Sequence, residues 1–89
     1  MDADSVKRFV TDGINKKTDE FYEYVELNIN KAKNALKWSM TINLKNGPSE
    51  DVIRETTKRL KEEGFKVERN KGSDQRDNTS WDNLAISWR

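Results

Sequence analysis

The sequence predicts an α+β domain with the order α-β-α-β-β, two helices packed on one face of a small three-stranded mixed sheet. Three observations carry this. A long segment repeats apolar residues every three or four positions, three short segments alternate strictly, and Gly or Pro separates them. At 89 residues the chain is expected to form one domain, 1–89, with a long N-terminal helix (4–37) and a β-α-β-β unit (38–89).

The first helix is read from Asp4 to Lys37. Ile14, Thr18, Phe21, Val25, Ile29, Ala32 and Leu36 form one apolar stripe, and Asp19, Glu20, Glu23 and Glu26 lie mostly off it. Asp4 or Ser5 can cap the start, because a short oxygen side chain accepts from unpaired backbone N–H groups. Gly13 costs about 1 kcal/mol relative to Ala inside a helix, so a break or bend is open there. An unbroken helix would run about 50 Å, more than a three-stranded sheet can cover. Either the chain turns near Gly13, or the segment with Val6, Phe9 and Val10 packs on another chain.

The stretch "KWSMTINLK" is the first strand, with Trp38, Met40, Ile42 and Leu44 on the core phase and Ser39, Thr41, Asn43 and Lys45 on the wet phase. "NGPSED" ends it: Gly47 turns, Pro48 suits a first helical position, and Glu50 with Asp51 favour a helix N-terminus. The second helix runs to about Glu63 and buries Val52, Ile53, Thr56 or Thr57, and Leu60. Gly64 followed by Phe65 reads as a Schellman stop. "FKVER" is the second strand, with Phe65, Val67 and Arg69 on one face. "DNLAISW" is the third, with Leu84, Ile86 and Trp88 on one face. The crossover through the second helix should leave strands one and two parallel. Strand three is antiparallel to strand two, and its small Ala85 and Ser87 favour insertion between the other two, although an edge position satisfies the alternation equally.

Between strands two and three lie about twelve polar residues, far beyond a hairpin connection. They read as a long loop holding Asp74, Gln75, Arg76 and Asp77, with Trp81 at its mouth. Trp81 has two readings: a cap over the open end of the sheet, or a stacking platform. As a platform it would use Arg76 as a cationic contact and Asp74, Gln75 and Asp77 as hydrogen-bond partners. A nucleotide-like ligand there would need cations, for which Arg76 and Arg89 are the candidates.

Composition removes most chemistry. His and Cys are both absent, so there is no imidazole base, no thiolate, no disulfide and no usual zinc set. The glycines, at 13, 47, 64 and 72, form no phosphate-cradling loop. Asp74, Asp77 and Asp82 read as turn-forming residues, and the oxygen-bearing residues from Ser73 to Asp82 do not follow a calcium-loop spacing. No catalytic residue, metal or cofactor is expected, and the protein is not expected to be an enzyme.

Arg54, Lys58, Arg59 and Lys61 give the second helix cations, but Glu55, Glu62 and Glu63 interleave, as on a solvated face. Nucleic acid is therefore not the expected partner. "MDADSVKRF" lacks a signal-peptide core and no stretch is long enough to cross a bilayer, so the expected setting is a cytosol. With only 33% hydrophobic residues, the core is small and a homo-oligomer is expected.

The tail "EEGFKVERNKGSDQRDNTSWDNLAISW", residues 62–88, resembles small uncharacterised bacteriophage proteins. These end in a Gly-aromatic-Lys-Val strand, a DQRD-like polar loop and an L-x-I-S-W strand. The resemblance implies origin more than function, and small phage accessory proteins without catalytic groups often act by binding. Such a protein would bind and inhibit a bacterial defence component in the host cytosol, by blocking a host protein or by sequestering a nucleotide-like signal. The alternatives are a nucleic-acid-binding accessory protein and a virion or assembly component.

Overall fold

The computed structural model describes residues 2–89 and has the element order α1 (Ala3–Asn34), β1 (Ser39–Asn43), α2 (Glu50–Glu62), β2 (Lys66–Asp74) and β3 (Thr79–Ser87). Asp2 caps α1, its side chain accepting from the Ser5 N–H at 2.7 Å. That bond to the backbone holds the Asp2 carboxyl below its ordinary range. The helix is continuous through Gly13, where nothing lies within 4 Å of the position a Cβ would take. The turn considered near Gly13 is therefore absent: a cost of about 1 kcal/mol is outweighed by the packing of the following turns, where Ile14 is half-buried and Thr18 buried.

α1 stops at Asn34 rather than Lys37. Leu36 takes a left-handed φ of 60°, and Lys37 N–H donates to the Ala32 carbonyl at 3.0 Å, closing the helix as a glycine usually does. Leu36 is consequently 89% exposed and drops out of the apolar stripe. Trp38 leaves the core as well. The ladder of β1 begins at Ser39, and the Trp38 ring, 58% exposed, lies under the Arg89 guanidinium at 5.6 Å.

Ser49 caps α2, so Pro48 lies outside the helix rather than at its first position. Gly64, with φ 94°, and the Phe65 N–H bonded to the Leu60 carbonyl at 3.0 Å make the expected Schellman stop.

The sheet order is β1-β3-β2, so β3 is inserted. Both ladders are antiparallel. β1 and β2 do run parallel, but they are not neighbours, and the expected mixed sheet is hydrogen-bonded as a purely antiparallel one. Ala85 lies between Thr41 and Glu68, where a small side chain suits a central strand.

α1 and α2 cover one face, packing on β1 and β2 respectively. Val25 and Ile29 of α1, Ile53 and Leu60 of α2, and Ile42, Leu84 and Ile86 of the sheet meet in the core. Trp88 is half-buried and meets Phe65 edge to face at 6.3 Å. Among the described residues no helix is long and apolar enough to cross a membrane.

Candidate functional site: a projecting hairpin

The polar segment between the second and third strands is not a long loop. β2 continues to Asp74 and β3 begins at Thr79, so most of it is an extended ribbon closed by the four residues 75–78. Asn, Asp, Gly and Ser have low strand propensity, which is why the segment reads as loop. Cross-strand pairing overrides that preference: Lys71 faces Asp82, Gly72 faces Trp81, Ser73 faces Ser80, and Asp74 faces Thr79.

The β1 ladder ends with Asn43 opposite Asn83 and the Leu44 N–H still donates to the Asp82 carbonyl at 2.7 Å, so the outer three pairs project beyond β1. At the tip, Asp74 Oδ1 accepts from the Arg76 N–H at 2.9 Å and Asn78 adopts a φ of 53°. These are the local means by which Asx residues close a tight turn. Gln75, Arg76 and Asp77 are exposed on that turn.

Trp81 lies across Gly72 on the sheet face away from the helices. A Cβ at position 72 would stand 2.4 Å from Cζ2 and 2.8 Å from Cε2 of the indole. One flank of the ring is therefore packed, and Trp81 is still 46% exposed. On the other side of the ribbon, Lys45 and Lys71 line a shallow concavity of about 300 Å³ together with Ser73, Ser80 and Asp82. From sequence Lys45 reads only as a wet-face residue of the first strand, and neither lysine is among the expected site residues. The available signal was pairing: a Gly opposite a Trp across a short turn marks a ribbon whose glycine is covered by an aromatic ring.

The root of the ribbon is fixed by charge. Arg69 sits on the helix-facing side of β2, donating to both Asp82 oxygens (2.9 and 2.8 Å) and both Glu50 oxygens (2.5 and 2.8 Å). This fork ties β2, β3 and the start of α2. The Arg69 bonds hold the Glu50 and Asp82 carboxyls below the ordinary carboxylate range, and the two acids raise Arg69 further. Asp82 is thus occupied in a structural pair, and Asp74 is occupied in the turn.

Five of the six expected site residues, Asp74, Gln75, Arg76, Asp77 and Trp81, lie on the ribbon. Arg89 does not. It follows β3 at the opposite end of the sheet, about 26 Å along the strand from Trp81 at roughly 3.3 Å per residue, and it covers Trp38 instead.

Elsewhere the arginines are mostly paired: Arg54 with Asp51, and Arg59 with Asp19 at 2.7 Å. Among the described residues no group of three or more acidic side chains converges as metal ligands would. The arrangement presents a projecting, hydrogen-bonding tip on a two-stranded stem, which suits recognition of another surface. No protein-family model, curated protein or solved structure matches the chain.

Proposed function

We propose that this chain is a non-catalytic binding protein of the bacteriophage accessory kind, which inhibits a bacterial defence component by occupying a surface of a host protein. The observation that carries the reading is the ribbon, which projects beyond β1 and exposes Gln75, Arg76 and Asp77 at its tip. The Asp74 side chain accepting from the Arg76 N–H already fixes the turn backbone, and an exposed Arg beside hydrogen-bonding groups is a common binding anchor. The resemblance of residues 62–88 to phage proteins supplies the biological setting.

The test separates tip from stem. In cells carrying the matching defence system, the wild-type chain restores phage plating, whereas Arg76→Ala/Asp77→Ala loses at least tenfold of that effect with its thermal midpoint unchanged. Full activity of the tip variant sinks the proposal.

A second reading rests on Lys45 and Lys71, two cations lining one concavity beside the ribbon, which suit an anionic, nucleotide-like signal. It predicts nucleotide binding that Lys45→Ala/Lys71→Ala abolishes and the tip substitutions leave intact.

A further inference from the structure

α1 has two faces, and only one serves this fold. Thr18, Val25 and Ile29 are buried in the protein's own core, with Ile14 and Phe21 half-buried beside them. A neighbouring face is exposed along α1 and carries apolar residues towards both ends with Lys17 and Glu20 at its centre. Val6, Phe9, Val10, Tyr24 and Leu27 are 44, 80, 50, 53 and 54% exposed, five of the eight large hydrophobics exposed among the described residues. At spacings of four and three this face presents Val6, Val10, Gly13, Lys17, Glu20, Tyr24 and Leu27 in turn. That is the seam one helix offers another in a two-stranded coiled coil.

Charge along α1 selects the occupant. The first half of the helix, residues 3–18, carries Lys7, Arg8, Lys16 and Lys17 against Asp4 and Asp12, whereas residues 19–34 carry Asp19, Glu20, Glu23 and Glu26 against Lys31 and Lys33, so the halves are of opposite net sign. A second α1 laid antiparallel meets opposite charge over both halves; laid parallel, it meets like charge over both.

We propose that this face binds a second copy of the chain, α1 against α1 and antiparallel, in the register that sets Val10 level with Leu27 of the second copy. The same register sets Gly13 level with Tyr24 of the second copy and Lys17 level with its Glu20. The three layers pair apolar with apolar, small with large, and base with acid, and twofold symmetry repeats each layer once. Gly13 has a purpose here: nothing in its own chain lies within 4 Å of its Cβ position, so the tyrosine ring can approach the helix backbone. Beside the seam, Lys16 falls near Glu23 of the second copy. The central layers are charged, so they fix orientation and register, and the apolar layers on either side supply the adhesion.

The experiment uses the full chain, which has no cysteine of its own. Sedimentation equilibrium is expected to show a reversible monomer–dimer equilibrium that weakens as salt is raised. Under mild oxidation, a mixture of the Val10→Cys and Leu27→Cys variants is expected to form the mixed disulfide, with each variant alone giving little of its own. Lys17→Glu sets like charges against Glu20 of the second copy and is expected to weaken dimerisation at least tenfold. Lys17→Glu/Glu20→Lys restores it, with helical circular dichroism unchanged throughout. A chain that stays monomeric at all concentrations, self-linking of Val10→Cys as fast as mixed linking, or no rescue by the double reversal overturns the proposal.

Discussion

Gly72→Ala is the sharpest perturbation of the ribbon, because the added Cβ would sit 2.4 Å from Cζ2 and 2.8 Å from Cε2 of Trp81. No real contact is that short, so the indole must leave its place. Trp81 is 46% exposed, so slightly over half of its surface is covered. A Trp buries up to about 250 Å², which makes the covered part roughly 130 Å². At about 25 cal/mol/Å² this is on the order of 3 kcal/mol, an upper figure because unfolded chains bury some surface too. The expected cost of Gly72→Ala is therefore about 2–3 kcal/mol, or a midpoint lowered by roughly 10–20 °C in a domain of this size. In a Trp81→Ala background the same change meets open space and gains about 0.5–1 kcal/mol, since Ala orders in a strand at lower entropic cost than Gly. Urea unfolding followed by far-ultraviolet circular dichroism measures all four corners of this cycle without relying on tryptophan emission. An equal cost of Gly72→Ala in both backgrounds would refute the ring–glycine contact as the source of ribbon stability.

Leu84→Ala removes a side chain that is 1% exposed in the central strand, and is expected to cost about 2–5 kcal/mol in urea unfolding. Thr56→Val is expected to be neutral or to stabilise by up to about 1 kcal/mol, because Thr56 Oγ1 is buried without a hydrogen-bond partner; a clear loss in the same assay would reveal a partner. The acid limb of stability should depend on Arg69. It lowers the Glu50 and Asp82 pKa values in the folded state, so the unfolded chain takes up protons first as pH falls. The associated stability is present above the ordinary carboxylate range near about pH 4 and is lost below it. Arg69→Met should therefore lower the thermal midpoint at neutral pH, with the gap to wild type closing in acid; a pH-independent gap would contradict the ion-pair account.

The ribbon shows where reading by residue type stops. Asp74, Gln75, Arg76 and Asp77 were legible as an exposed polar cluster, and four of their neighbours, Gly72, Ser73, Asn78 and Ser80, are turn-formers by themselves. What makes Lys71–Asp74 a strand is its partner, Thr79–Asp82, and a local propensity scale has no term for a partner. Arg69 illustrates the same limit. Alternation places it on the core-facing side of its strand, where an unpaired guanidinium would be costly. Only the fold brings Glu50 from another element to meet it.

The sequence by itself determined the element types and their order, because apolar periods of 3.6 and 2 and the Gly64 stop are local properties of the chain. It also determined the absence of imidazole and thiol chemistry. The tertiary structure alone decided the strand order, since the alternation of Leu84, Ile86 and Trp88 fits an edge or a centre equally well. It decided as well that Arg89 lies at the far end of the sheet from Trp81, that Trp38 stays outside the core, and that Gly13 passes unbroken within α1. Each of these depends on contacts between residues distant in the chain, whose free energy outweighs local preferences of about 1 kcal/mol or less.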